Sequence, residues 1–238
     1  MNRTRMTYLL SVFLVLPVLV NAQGSREFVV NHFVSDPNVI ESHLVITDVE
    51  GKGPIVTMKF YDNDGNLVGE GKELLQPFGK LNLDPGEYVK HAVVNGTVHI
   101  SADRGNIVAE YWQFYKDPEE SWKNTTAIAV SAPGFSKLVA PHFVSDQDVE
   151  AYLVLASTDG KDAVVTIRFY DDTGRNLGKA RELVKANGKR ILKPWEYVKH
   201  KTTGVAFIES DGGRVAGEYW QAQESKRYQV VYPMGGIK

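Results

Sequence analysis

The chain says most of what it says twice. HFVSD at His32–Asp36 recurs at His142–Asp146, and TMKFYD at Thr57–Asp62 recurs as TIRFYD at Thr166–Asp171. EYVKH at Glu87–His91 recurs at Glu196–His200, and AEYWQ at Ala109–Gln113 recurs as GEYWQ at Gly217–Gln221. The spacing between copies drifts only from 110 to 108 residues. A period that long indicates a duplicated domain and not a short-repeat solenoid. Each copy is about 105 residues, the common size of one domain. The expected division is a leader over 1–22, one unit over 23–132 and a second over 133–238. The boundary falls near Ser131-Ala132-Pro133-Gly134, where Pro and Gly interrupt the strand pattern.

Within each copy the hydrophobic period is two. Leu44 to Thr47, Ile55 to Tyr61, Tyr88 to Val94, Val98 to Ile100 and Ile107 to Tyr115 are rich in Val, Ile, Thr, Tyr and Phe and read as strands. Turn signals lie between them at Asn63-Asp64-Gly65-Asn66, Asp84-Pro85-Gly86, Asn95-Gly96 and Arg104-Gly105-Asn106. Many short strands with turns about ten residues apart predict an all-β protein of two tandem antiparallel β-sandwich domains. The order HF(V)S, then L-V, then V-T-x-x-F-Y-D-x-x-G, then a strand with V-A-E resembles the tandem β-sandwich modules of about 110 residues found in secreted bacterial surface proteins. It is less closely similar to the small β-sandwich of the sensory rhodopsin transducer family. The resemblance covers nearly all of 28–238 and implies a fold more than an activity. Those modules often carry Arg after the Glu of the V-A-E strand. Tyr111 and Tyr219 stand there in this chain, so no role of that Arg carries over.

Arg3 and Arg5, the apolar run Leu9 to Val20 and Val20-Asn21-Ala22 together predict a secretory leader cleaved before Gln23. The run is about 12 residues, short of the roughly 20 that a bilayer-spanning helix needs. No later stretch is apolar enough to span, so no membrane span is expected after cleavage. The expected location is extracytoplasmic, periplasmic or secreted. The chain has no Cys, which excludes thiol catalysis, Fe–S clusters and Cys-based zinc sites. Losing the leader removes two Arg and no acid, which takes the formal charge from −2 to near −4. That balance argues against a nucleic-acid surface.

Four patterns are candidates for chemistry. Asp62-Asn63-Asp64-Gly65-Asn66 offers alternate oxygens to Ca²⁺, but Arg175 replaces an oxygen in the second copy and a hairpin turn accounts for the same residues. No metal or other cofactor is expected. Of the six His, His32, His91, His142 and His200 recur, and His43 and His99 do not. None has metal-ligand spacing, and His91 and His200 read as half-buried residues on strands. Glu87, Glu110, Glu196 and Glu218 recur and could in principle form the acid pair of a glycosidase. One Glu per short motif carries no catalytic assignment, and with no nucleophile elbow or phosphate loop an enzyme is not expected.

The fourth pattern is the Glu-Tyr-Trp-Gln strand. Alternation puts Glu110 and Trp112 on one face, and Glu218 and Trp220 repeat them. An acid beside an indole suits a sugar platform. It equally suits packing, with each Trp partly buried and each Glu paired with Lys90 or Lys199. On the packing reading Trp112→Ala costs about 3–5 kcal/mol. These four residues are the candidate binding set. The function expected is non-catalytic contact with a protein partner in assembly at the cell surface or envelope. The alternative is carbohydrate binding through the Trp-bearing strands, with a glycan as partner. Ring exposure separates the two.

Overall fold

The computed structural model describes residues 24–120, 125–128, 130–131, 134–224 and 228–237. The expected leader, its cleavage point and the boundary residues Ala132 and Pro133 lie outside the described residues. The protein is all-β and antiparallel, as the period-two pattern predicts. In the first half, β1 (Glu27–Ser35), β3 (Ile55–Asp62), β4 (Leu67–Leu74), β6 (Val94–Ala102) and β9 (Val130–Ser131) form a wide sheet in the order β4-β3-β6-β1-β9. A narrow sheet of β2 (Ile40–Asp48), β5 (Lys80–Leu83), β7 (Ile107–Tyr115) and β8 (Thr125–Ile128) runs β5-β2-β7-β8.

The second half repeats that order strand for strand. Its wide sheet of β10 (Lys137–Ser145), β12 (Ala163–Asp171), β13 (Asn176–Val184), β15 (Thr202–Gly212) and β18 (Gly235–Gly236) runs β13-β12-β15-β10-β18. Its narrow sheet of β11 (Glu150–Ser157), β14 (Lys189–Leu192), β16 (Val215–Gln223) and β17 (Tyr228–Pro233) runs β14-β11-β16-β17.

In each half the wide and narrow sheets close on an apolar layer. Phe33, Phe60, Leu44, Ile46 and Tyr111 are fully buried in the first, and Phe143, Phe169, Leu153, Leu155 and Tyr219 in the second. The recurring Tyr of Glu-Tyr-Trp-Gln is therefore a core residue. The Tyr111 hydroxyl accepts from the Val34 N–H at 3.0 Å and lies 2.9 Å from Ser42 Oγ. Tyr219 accepts from Val144 N–H at 2.9 Å.

The His-Phe-Val-Ser motif gains its meaning from a bulge. Pairing of β1 with β6 slips between Val30 and Phe33, so both residues face the core and Asn31 and His32 both turn outward. The same slip occurs between Ala140 and Phe143 on β10.

Two sequence expectations are corrected. The Tyr88–Val94 run is not a strand. Asp84 caps a helical turn, α1 (Pro85–Tyr88), by accepting from the Gly86 N–H at 2.8 Å, and Lys90 and His91 then take φ of 55° and 54°. Pro85 at the first helical position favours the turn over a strand. Its counterpart is α2 (Pro194–Val198). His91 and His200 therefore follow helical turns and not strands. The recurring Tyr stacks on the core from this turn: Tyr88 on Phe60 at 5.5 Å and Tyr197 on Phe169 at 6.0 Å. Asn95-Gly96 is not a turn either. Both residues lie inside β6, where a Cβ on Gly96 would run into the Tyr61 carbonyl of the neighbouring strand.

Candidate functional site

The two halves meet sheet to sheet. The outer face of the second narrow sheet packs on the outer face of the first wide sheet. Val154 and Trp220 belong to the apolar cluster of the first half, with Tyr152 and Ile191 packed against it. Alternation along β16 puts Tyr219 into its own core, so Glu218 and Trp220 must point to the other unit.

A polar network lies inside this contact. The Trp220 indole donates to Glu218 Oε2 at 3.1 Å, and Asn31 Nδ2 donates to Glu218 Oε1 at 3.2 Å. Lys189, at the start of β14, donates to His32 Nδ1 at 2.8 Å, and the His32 ring lies 4.6 Å from the Trp220 ring. Asn31 and Glu218 are fully buried and Lys189 is 4% exposed. Loss of water pushes the Glu218 carboxyl up to about 7, against the pull of Trp220, Lys189 and Asn31. Burial likewise drives Lys189 and His32 well below their ordinary ranges, and Lys189 depresses His32 further. Both directions favour the uncharged forms, so Lys189 and His32 meet as a hydrogen-bonded pair and not as two like charges. Asn31 Oδ1 is buried with no partner among the described residues.

The rim is tied by backbone. Thr97 Oγ1 donates to the Asn187 carbonyl at 2.6 Å, Lys189 N–H to the Asn63 carbonyl at 3.1 Å, and Lys185 pairs with Asp64 at 3.1 Å. At one end the contact opens into a cleft of about 420 Å³ bordered by His32, Gln113, Tyr152, Glu150 and Trp220. That volume falls in the range of small-molecule sites.

The four candidate residues have separated into two environments. Glu218 and Trp220, with Trp220 8% exposed, are sealed between the units. Glu110 and Trp112 occupy the matching positions on β7, and Trp112 is 36% exposed with its ring parallel to Phe114 at 6.4 Å. The indole-to-carboxylate bond is kept there, at 3.3 Å from Trp112 to Glu110.

The expectation that both rings are partly buried beside Lys90 and Lys199 is corrected. Those lysines end the helical turns with φ of 55° and 59°. The lysine that acts on Glu218 is Lys189, which sequence reasoning missed. The signal was present: Gly188-Lys189 repeats Gly79-Lys80.

The other candidates disperse. Asp62 accepts from the N–H groups of Asp64 and Asn66, both at 2.9 Å, so its carboxylate closes the turn. Among the described residues no three His, Asp or Glu converge as a metal cluster. Glu87 and Glu196 lie on the helical turns, away from the strands that carry Glu110 and Glu218.

No family model matches the chain, and no curated protein matches it significantly. Among solved structures it is similar to a glycosyl hydrolase family 2 member from Bacteroides cellulosilyticus, at 12% identity over 87% of this chain and a TM-score of 0.17. It is also similar to a beta-glucuronidase from Bacteroides uniformis, at 10% identity over 81% of this chain and a TM-score of 0.18. The chain spans 28% and 24% of the length of those two structures.

Proposed function

We propose that this is an exported, non-catalytic protein whose two duplicated sandwich units serve protein–protein contact in assembly at the cell envelope. The observation that carries the reading is the fate of Trp220. Its strand face is used as a protein-contact surface, with the ring against His32 and the carboxylate of Glu218 shared with Asn31. Large aromatic side chains held in desolvated, hydrogen-bonded settings are the usual anchors of protein interfaces. The leader-like segment at 1–22 supports export, and the motif resemblance to secreted surface modules supports the envelope.

One observation favours a second reading. Trp112 presents a flat exposed ring beside Glu110, the chemistry of a sugar platform. Affinity capture from the native envelope with the wild type and Trp112→Ala, run beside a glycan array, separates the two. The expected result is a protein captured by the wild type, lost with Trp112→Ala, and no glycan bound. Glycan binding abolished by Trp112→Ala contradicts the contact function.

A further inference from the structure

The contact between the halves is heterologous: a narrow-sheet face of one unit sits on a wide-sheet face of the other. Among the described residues, one face of each kind is therefore left unused. These are the narrow sheet of the first half and the wide sheet of the second. From this geometry we infer that the free narrow-sheet face docks on the free wide-sheet face of a second copy of this chain, repeating the internal contact head to tail. The inference rests on the contact function above and names its partner.

The free faces carry the groups that make the internal contact. Lys80, Glu110 and Trp112 stand where Lys189, Glu218 and Trp220 stand, and all three are exposed. On the receiving side His142 stands where His32 does and is exposed. The bulge that turns His32 outward is present in β10 as well.

Where the two contacts differ, both sides change together. Internally the loop before β14 presents a polar residue, Asn187, which borders one small cavity with Tyr61 and His99 and accepts from Thr97. At the matching place the loop before β5 presents Phe78, 74% exposed. The surface that would receive it has changed in the same sense. Thr97 becomes Val205, and His99 becomes Phe207, which is 39% exposed. The edge-on pair Tyr61–His99 at 5.1 Å becomes Tyr170–Phe207 at 5.8 Å. Polar meets polar within the chain, and apolar meets apolar between chains. Asn31 is the exception: Pro141 replaces it while Glu110 keeps the place of Glu218, so that acid retains only the bond from Trp112.

The hairpin turns show the same asymmetry of occupancy. A Cβ on Gly65 would strike the Ala186 carbonyl of the second half, whereas Gly174, at the matching turn, has nothing within 4 Å. One turn is docked and the other is open. A face that fits a different face cannot be satisfied by a two-fold dimer, so association through it grows until a ring closes or continues as a filament.

The test uses the exported full chain, Phe78→Asp and Phe207→Asp in sedimentation velocity from about micromolar to about millimolar concentration. Both side chains are exposed, and Asp tolerates the positive φ at position 78, so circular dichroism and melting of the monomers should match the wild type. The wild type should grow past two chains with concentration. Each single variant blocks one end and should remain monomeric. An equimolar mixture of the two should stop at two chains, because only one intact pair of faces is left. A wild type monomeric at every concentration overturns the inference. So does a single variant that still dimerises, or a mixture that stays monomeric. If the wild type stays monomeric yet captures another envelope protein through Trp112, self-association falls and the contact function stands. If it neither associates nor captures, both fall.

Discussion

Glu218, Lys189 and His32 are taken out of water together, and none keeps its ordinary proton affinity. Removing one member leaves a buried polar partner unsatisfied, which costs more than the hydrogen bond contributes. The bonds of Lys189 to His32 and of Asn31 to Glu218 favour this register of the second sheet on the first.

His99 shows the opposite case, a half-buried ring with little compensation. Its Nε2 is buried without a partner among the described residues, and burial, reinforced by Lys59, lowers its pKa from 6.5 to about 4. The unfolded chain binds a proton between those values that the folded protein refuses. Stability is therefore lost as pH falls from 6.5 toward 4. The second half carries Phe207 at the matching position. Replacing His99 by Phe should leave the melting temperature at pH 7.5 little changed and remove about 2 kcal/mol of the loss between pH 7 and pH 4.5. Parallel acid-side melts of wild type and His99→Phe that coincide would show that the ring titrates normally.

At the scale of elements, β7 and β16 share one sequence and divide the work of its two faces. Tyr111 and Tyr219 do the same job in the two cores. Trp112 and Trp220 do not share a job, because among the described residues only β16 has a neighbour across its outer face. Trp220→Ala should therefore cost about 3 kcal/mol and Trp112→Ala less than about 1 kcal/mol in the dilute protein. Thermal melts at low concentration check the contrast, and equal losses would mean that both rings are packed alike.

The same two strands show how far local sequence determines the site. The alternation of Glu110, Tyr111 and Trp112 identified the faces, since a side-chain period of two is local geometry. Which outer face is covered is decided by the packing of one unit on the other, and nothing local reports that. The Tyr88–Val94 run misled for a related reason. Its β-branched and aromatic residues suit a strand, yet Asp84 and Pro85 start a helical turn that lays Tyr88 on Phe60. The cap outweighed the propensity. Lys189 was missed because a lysine after glycine reads as a solvated turn residue until another domain covers it.

At the scale of the molecule, two sandwiches with one strand order are joined through unlike faces, and the first apolar cluster is completed by Val154 and Trp220 from the second half. The halves should therefore fold separately and still recognise each other, because each has its own core and the contact is a surface added to it. The outer face of the Glu-Tyr-Trp strand is the protein-contact surface proposed above. The most direct measurement produces 23–132 and 133–238 as separate chains and titrates one into the other by calorimetry. The expected result is saturable one-to-one binding, weakened at least about tenfold by Trp220→Ala, a loss of about 1.4 kcal/mol or more, and unchanged by Trp112→Ala. Folded halves that ignore each other, or binding indifferent to Trp220→Ala, would contradict it.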